Sequence, residues 1–570
     1  VTLAVVAGTR PSRRAAEPAL IAIVIAGVVL LIGLPMLFVL LSAILADPFT
    51  LGSGFTLASL GSVYTSPTLL WSLWQTVAMA VGIGVVATVI GGILAWMTVR
   101  VAVPARGMLG LIAVLPLFMS PLVAVIAWIS IGAPHSGLVN AWLMASGAPD
   151  WLRLNIMSLP GIIFVMTVHY VPYGYLFLAG ALRNMDASLE EASYVAGESV
   201  IGTAIRIAVP LMRAPFLSSM LFVSILAAGE FSVPSLLGGR SGFVPLSVRV
   251  YEAINGFPQD YGRASAIGTM LIAISVGAFY LYRRSLRNAG RFVTMTGKNF
   301  AIRQVDPGRW AWLILAVFAL YALVTVVLPY CALIFVALSK FRTGALTGAH
   351  LTLSHVATVL GTPDVRLAAR NSVIVSLVVP AICVLLALLL AYAHDRQRMP
   401  GSGIAMYIAS IPIAVSGIVF ASGILVVYIT TPLYGTIWLI ALGLVAHYLT
   451  HAIRITSNGL GQIDPSLEEA ARVNGAGLVQ TLRSIVAPLL APSIGSAALL
   501  IFIFCIREVN TAIMLYSPDS QLLAVLSWNY AADGDLSSAA VVGLLQTVIM
   551  VVVILLARLL LGVSAAKDVA

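Results

Sequence analysis

Glu230 and Glu508 are carboxylates near one end of long apolar runs. An acid in such a place is costly unless it faces protein or water. Two chemistries fit: a hydrogen-bond anchor that holds helices together, or weak, transient oxygen ligands for a cation at a translocation pathway or outer gate. His169-Tyr170 and His447-Tyr448 form a second kind of polar pair. Imidazole and phenolate suit iron, but a tight site impedes passage. Helix packing is therefore the preferred reading, and no metal site is assigned. Arg507 adjoins Glu508. Neighbours i,i+1 on a helix point apart, so Arg507 must pair elsewhere.

The third feature is "DASLEEASYVAG", Asp186 to Gly197, where three acids fall among six residues. Its chemistry is recognition. Ser188 and Glu191 have the spacing of a capping box, and Glu190 and Glu191 sit in a first turn where the helix dipole favours negative charge. Ala192 to Ala196 continue a short helix that Gly197 ends. A second short helix runs to Pro210-Leu211. A capped, protruding helix of small residues suits insertion into a partner's groove, with acids on its rim to set orientation. A plain connector between two spans is the alternative.

These residues sit in a chain that is 60% hydrophobic and 9% charged, too little charge to cover a soluble domain of 570 residues. Twelve apolar runs are long enough to cross a bilayer, near 19–45, 71–99, 108–132, 159–182, 215–237, 264–282, 312–338, 372–394, 404–429, 436–455, 490–513 and 538–562. The first reads as a retained signal-anchor helix. With both termini placed inside, 22 of the 31 Lys and Arg residues fall inside, eight outside, and Arg507 within a span. That bias follows the positive-inside rule and puts Asp186 to Gly197 in the cytoplasm. The basic residues flank apolar runs instead of clustering with aromatic or polar neighbours, which excludes nucleic acid as a partner.

The acidic stretch has a twin, "DPSLEEAARVNG", Asp464 to Gly475, displaced by 278 residues. The same displacement pairs Glu190 with Glu468, Glu191 with Glu469, Ala192 with Ala470, Gly197 with Gly475, His169-Tyr170 with His447-Tyr448, and Glu230 with Glu508. Earlier, a displacement of 296 aligns "QTV" (Gln75 to Val77) with "NSV" (Asn371 to Val373) and "LAW" (Leu94 to Trp96) with "LAY" (Leu390 to Tyr392). The chain is thus two copies of a six-span unit in the same orientation, which an even span count permits. The first unit is 1–290, the cytoplasmic linker 291–309 and the second unit 310–570, with the acidic loops at 186–211 and 464–489.

No phosphate-binding loop is present: "GRFVTMTGKN" (Gly290 to Asn299) has Gly-Lys at the wrong spacing. No metalloprotease, nuclease or nucleophile motif appears. Cys331, Cys383 and Cys505 lie in apolar runs without metal-type spacing.

"EEASYVAG…AVPL" and "EEAARVNG…APLL" resemble the EAA loop of ABC importer permeases. The first copy departs mildly, reading Glu191-Ala192-Ser193. The resemblance covers nearly the whole chain. It implies an all-α polytopic membrane protein of the type I ABC importer permease fold, with about twelve transmembrane helices in two parallel six-span repeats. It further implies a bacterial inner-membrane location and no enzymatic activity or bound cofactor in this chain. ATP and Mg would be used by a separate cytoplasmic ABC ATPase dimer, engaged through Glu190, Glu191, Ala192, Gly197, Glu468, Glu469, Ala470 and Gly475. Substrate would arrive on an extracytoplasmic binding protein, which Tyr251, Glu252, Asp260 and Trp528 in the outer loops could touch. The fused form and "TMTGKNF" (Thr294 to Phe300) look like the ferric-iron type, ahead of thiamine, polyamine or phosphonate permeases. An ion-gradient-driven secondary transporter is the alternative from another class, since twelve spans in two parallel halves fit it too.

Overall fold

The computed structural model describes residues 12–50, 52–185, 192–193, 195–289, 306–339 and 351–561. Among these there is no strand. Two isolated bridges pair Leu45 with Phe55 and Ser339 with Leu351, after the first helix of each half. The basic linker expected at 291–309 lies outside the described residues except for its last four.

Among the described residues eight helices are long and apolar enough to cross a membrane, or up to twelve if each of four bent pairs counts as one span. The long ones used below are α1 (Ser12–Ser42), α2 (Pro67–Val99), α4 (Leu159–Arg183), α6 (Tyr261–Ala289), α7 (Gly308–Leu338), α8 (Pro363–Arg396), α10 (Ile437–Leu460) and α13 (Leu536–Leu561). Between them lie α3 (Pro121–Gly132), α5 (Arg213–Ala228), α9 (Gly417–Tyr428), α11 (Ser466–Val473) and α12 (Ala491–Ile506).

The bends are what apolar periodicity could not reveal. The run at 108–132 breaks by 90° before Pro121, and that at 404–429 by 119° before Gly417. Both breaks follow a Pro-containing tight turn, Leu115–Phe118 in one half and Ile411–Ala414 in the other. Proline removes a backbone donor there and weakens the helical ladder. The runs at 215–237 and 490–513 also stop early, α5 at Ala228 and α12 at Ile506, before short helices Ser232–Leu237 and Ala512–Leu515.

Each half has a tight central pair, α2 with α4 and α8 with α10. In the first, Gly91 faces the backbone of Val171 and Tyr175, and a Cβ there would collide with the Tyr175 nitrogen. Small residues permit such close approach where apolar attraction between helices is weak. The first helix of each half crosses over: α1 packs on α9, and α7 packs on α3. Gly423 of α9 lies against the Pro35 carbonyl of α1.

The paired motifs at the starts of α2 and α8 have a structural reason. Gln75 bridges the Gly242 carbonyl and the Val244 amide, while Thr76 Oγ1 accepts the Leu246 amide at 2.9 Å. In the second half Asn371 donates to the Asp519 and Gln521 carbonyls, and Ser372 Oγ accepts the Leu523 amide at 2.8 Å. An amide followed by a hydroxyl thus holds the same loop and caps the same ten-residue helix, Leu246–Asn255 or Leu523–Ala532.

Candidate functional site

Two regions carry the residues singled out by sequence: a pair of loops on one face, and a polar seam between the halves.

On the loop face, α11 begins at Ser466, one residue earlier than a Ser466 N-cap requires, and Ser466 makes no capping bond. The capping box expected with Glu469 is absent there. Asp464 takes the role, its Oδ1 accepting the Ser466 amide at 2.9 Å. That bond holds the Asp464 carboxyl below the usual carboxylate range. A carboxylate is the stronger acceptor and sits at the positive end of the helix dipole. The Ser188–Glu191 box of the first loop, with Glu190 and Glu191, lies outside the described residues.

Both loops end their short helix in one way. Gly475 has φ +80°, and the Ala476 amide reaches back to the Ala471 carbonyl at 3.0 Å. Gly197 has φ +85°, and the Glu198 amide reaches the Ser193 carbonyl at 3.1 Å. These are left-handed terminations, which glycine adopts without strain. A second helical segment follows, to Leu211 or Leu489, with a π-turn at matching places: Ala204–Ala208 and Leu482–Val486.

Ala192, Gly197, Glu469, Ala470 and Gly475 are exposed. So are Val195 and Val473, at 89% and 87%, in the same register of the two loops. Sequence reasoning passed over these valines because apolar letters are common in this chain. Glu468 is different. Only 3% exposed, it turns inward to an ion pair with Arg396, 3.0 Å from Nε to Oε1. Its carboxylate therefore faces an internal partner. The signal was present: Arg396 ends the "LAY" motif as Arg100 ends "LAW".

In the seam, neither Glu230 nor Glu508 lies on a helix; each occupies the break after α5 or α12. Irregular backbone at membrane depth is tolerated where protein surrounds it. Glu230 Oε1 accepts from the Ser232 amide at 3.1 Å and from the Ser232 hydroxyl, and Oε2 from Asn510 Nδ2 at 3.4 Å. Glu508 Oε1 accepts the Thr511 amide at 2.9 Å, and Oε2 the Tyr448 hydroxyl. Both acids therefore serve as hydrogen-bond anchors, each bound to the start of the next short helix.

Other bonds cross between the halves. Ser416 donates to the Gly229 carbonyl at 2.9 Å, and Trp528 Nε1 to Ser235 Oγ at 3.0 Å. Arg507 lies over the Phe504 ring and donates to the Leu117 and Met119 carbonyls, which the bend before Pro121 exposes. His169 and Tyr170 meet edge to face, as do His447 and Tyr448. Among the described residues no three His, Cys, Asp or Glu side chains converge on a point fit for a metal ion.

The outer-loop residues divide. Trp528 is buried in the seam against Phe231 and half-buried Tyr251, so neither offers an open surface. Glu252 and Asp260 are exposed; Glu252 pairs with Arg249, and Asp260 caps the Arg263 amide.

The fold is a duplicated helical membrane protein with twinned, glycine-terminated loops and a polar seam between its halves. The chain belongs to the family of binding-protein-dependent transport system inner membrane components, whose model matches twice, at residues 87–291 and 365–563. It is thus a multi-pass transport subunit of an inner membrane, not an enzyme. Among its relatives is the ferric transport system permease protein FbpB of Actinobacillus pleuropneumoniae, 27% identical over 83% of this chain and 68% of the relative. The Fe(3+)-transport system permease protein FbpB 2 of Haemophilus influenzae is 23% identical over 66% and 72%. The sulfate transport system permease protein CysW of Escherichia coli is 25% identical over 39% of this chain and 73% of its own length.

Proposed function

We propose that this chain is the permease of an ATP-driven importer that carries ferric iron from an extracytoplasmic binding protein. The observation that carries the reading is the twinned short helix, glycine-terminated and valine-tipped at the same register, on one face of two parallel repeats. Such helices seat in the grooves of two copies of one partner, a cytoplasmic ATPase dimer that uses ATP and Mg. This chain binds no cofactor itself.

The loop face is cytoplasmic, as are both termini; the charge bias of the connecting segments supports this. Residues 1–290 and 310–570 form the two halves, joined by 291–309. Closure of the ATPases draws the short helices together and rocks the halves about the seam. Glu230, Glu508, Tyr448 and Asn510 then exchange their mutual bonds for transient contacts with the passing ion. Neutral or anionic acceptors at the seam suit a cation, and the ferric relatives support iron as that cation.

Labelled ferric iron uptake in cells lacking only this protein tests the proposal. Uptake is expected to vanish, to return with the gene only when the ATPase is also present, and to be unaffected by excess thiamine or spermidine. Competition by either compound would overturn the substrate. Uptake that persists without the ATPase would overturn the mechanism.

A further inference from the structure

We infer that Arg396 is a positioning residue for coupling: it tethers α11 to the end of α8, so that a push on the short helix moves a membrane span directly. The inference rests on the importer reading above and adds the element that receives the motion.

Arg396 closes the last turn of α8, a π-turn over Tyr392–Arg396. Its guanidinium makes three contacts at once. Nε faces Glu468 Oε1 of α11 at 3.0 Å, and Nη2 donates to the Leu460 and Ile463 carbonyls at 2.8 and 2.5 Å. The Leu460 carbonyl ends α10 and Ile463 lies in the turn after it, where a cation also complements the helix dipole. One side chain thus ties together α8, α10 and α11. Four residues earlier, the buried Tyr392 hydroxyl accepts from Arg472 Nη2 of α11 at 3.0 Å, a second link between the same two elements. Beneath them lies an apolar cluster, separate from the main core, of Ile21, Leu388, Tyr392, Leu460, Leu478 and Leu482.

Burial gives the ion pair its weight. The Arg396 and Glu468 side chains are 15% and 4% exposed. A surface pair contributes little, whereas removing one partner of a buried pair leaves a charge stranded and is strongly destabilising locally. The fork of arginine also has no equivalent in lysine, whose single ammonium is a point charge. The repeat supplies independent support: Arg100, at the matching place in the first half, is 1% exposed. An arginine placed inward at the same position of both copies is costly without a purpose.

The test uses the full chain with its ATPase and its ferric-loaded binding protein in proteoliposomes, and the chain alone in nanodiscs. The variants are Arg396→Gln, Glu468→Gln, their combination, and Arg396→Lys. Amide exchange in α11 is expected to quicken by about tenfold in each single variant. Ferric iron moved per ATP hydrolysed is expected to fall by about fivefold. The double variant is expected to be no worse than Arg396→Gln, because that substitution already removes the ion pair. Arg396→Lys is expected to fall between wild type and Arg396→Gln. The ATPase is expected to copurify throughout.

Unchanged exchange in α11 would refute the tether. Faster exchange with wild-type transport per ATP would refute its part in coupling. Loss of ATPase copurification in Glu468→Gln would show that Glu468 docks directly, and would overturn the inference. Transport by the wild type without ATP would sink the importer reading instead, while the exchange measurement would still decide the tether.

Discussion

Asn510 of the second half and Glu230 of the first meet across the seam, and each satisfies the other's segment. Asn510 Nδ2 donates to Glu230 Oε2 at 3.4 Å, while Asn510 Oδ1 accepts the Phe231 amide at 3.3 Å. The repeat places Ser232 at the position of Asn510. The two halves are therefore not equivalent at this point: the first supplies the acid and a short hydroxyl, the second the amide long enough to cross.

Asn510→Leu is expected to leave a buried donor and acceptor unmet on the opposite half, at about 1–3 kcal/mol. A lowered melting temperature of the purified chain and reduced ferric uptake would follow. Asn510→Asp sets a second carboxylate against Glu230 and is expected to be worse at neutral pH. An Asn510→Asp protein as stable and as active as wild type would show that the contact does not matter.

The left-handed glycines give a second test. A Cβ at Gly475 or Gly197 meets nothing within 4 Å, so the penalty is backbone strain, not collision. Gly475→Ala is expected to cost about 1–2 kcal/mol at that position, and Gly475→Asn less, since asparagine tolerates this conformation. Uptake should follow the order Gly, Asn, Ala, Val at constant membrane expression. The reverse order would mean that the left-handed turn is dispensable.

Val195 and Val473 are exposed at the same register of the two loops. Val473→Asp is expected to leave the melting temperature unchanged and to weaken ATPase binding. Full burial of a valine is worth about 1.5–3 kcal/mol, so the loss should reach about tenfold or more. Copurification and titration of the ATPase onto the chain in nanodiscs measure it directly.

The cap of α11 carries a pH signature. The Ser466 amide holds Asp464 below its ordinary range. A depressed carboxyl stabilises the folded state above its unfolded pKa, and that stabilisation is lost as pH falls through the folded value. Amide exchange in α11, corrected for intrinsic rates, should therefore be flat from neutral pH to the ordinary aspartate range of about 4, and protection should decline below it. Asp464→Asn, which keeps an acceptor without titrating, should abolish the acid-side decline.

Much of this protein is written in local letters. Apolar runs of membrane length, basic flanks and the twinned acidic stretch determine the spans, the repeat and the loops, because each depends on composition or on residues a few positions apart. Even the terminating glycines are local, since a left-handed turn is set by one backbone. The bends before Pro121 and Gly417 were not legible: a bent apolar pair and a straight span have the same composition. The inward turn of Glu468 was not legible either. Its neighbour Glu469, chemically identical, stays exposed, and what separates them is one step of helical rotation relative to Arg396, seventy-two residues earlier. Likewise Glu230 and Glu508 read as costly acids in spans until the seam supplied Ser232, Asn510, Thr511 and Tyr448 as donors. The sequence by itself determined which residues are charged and how often the pattern recurs. Only the tertiary structure decided which charges face each other, because desolvation and hydrogen bonding act across distances in space that the order of residues does not encode.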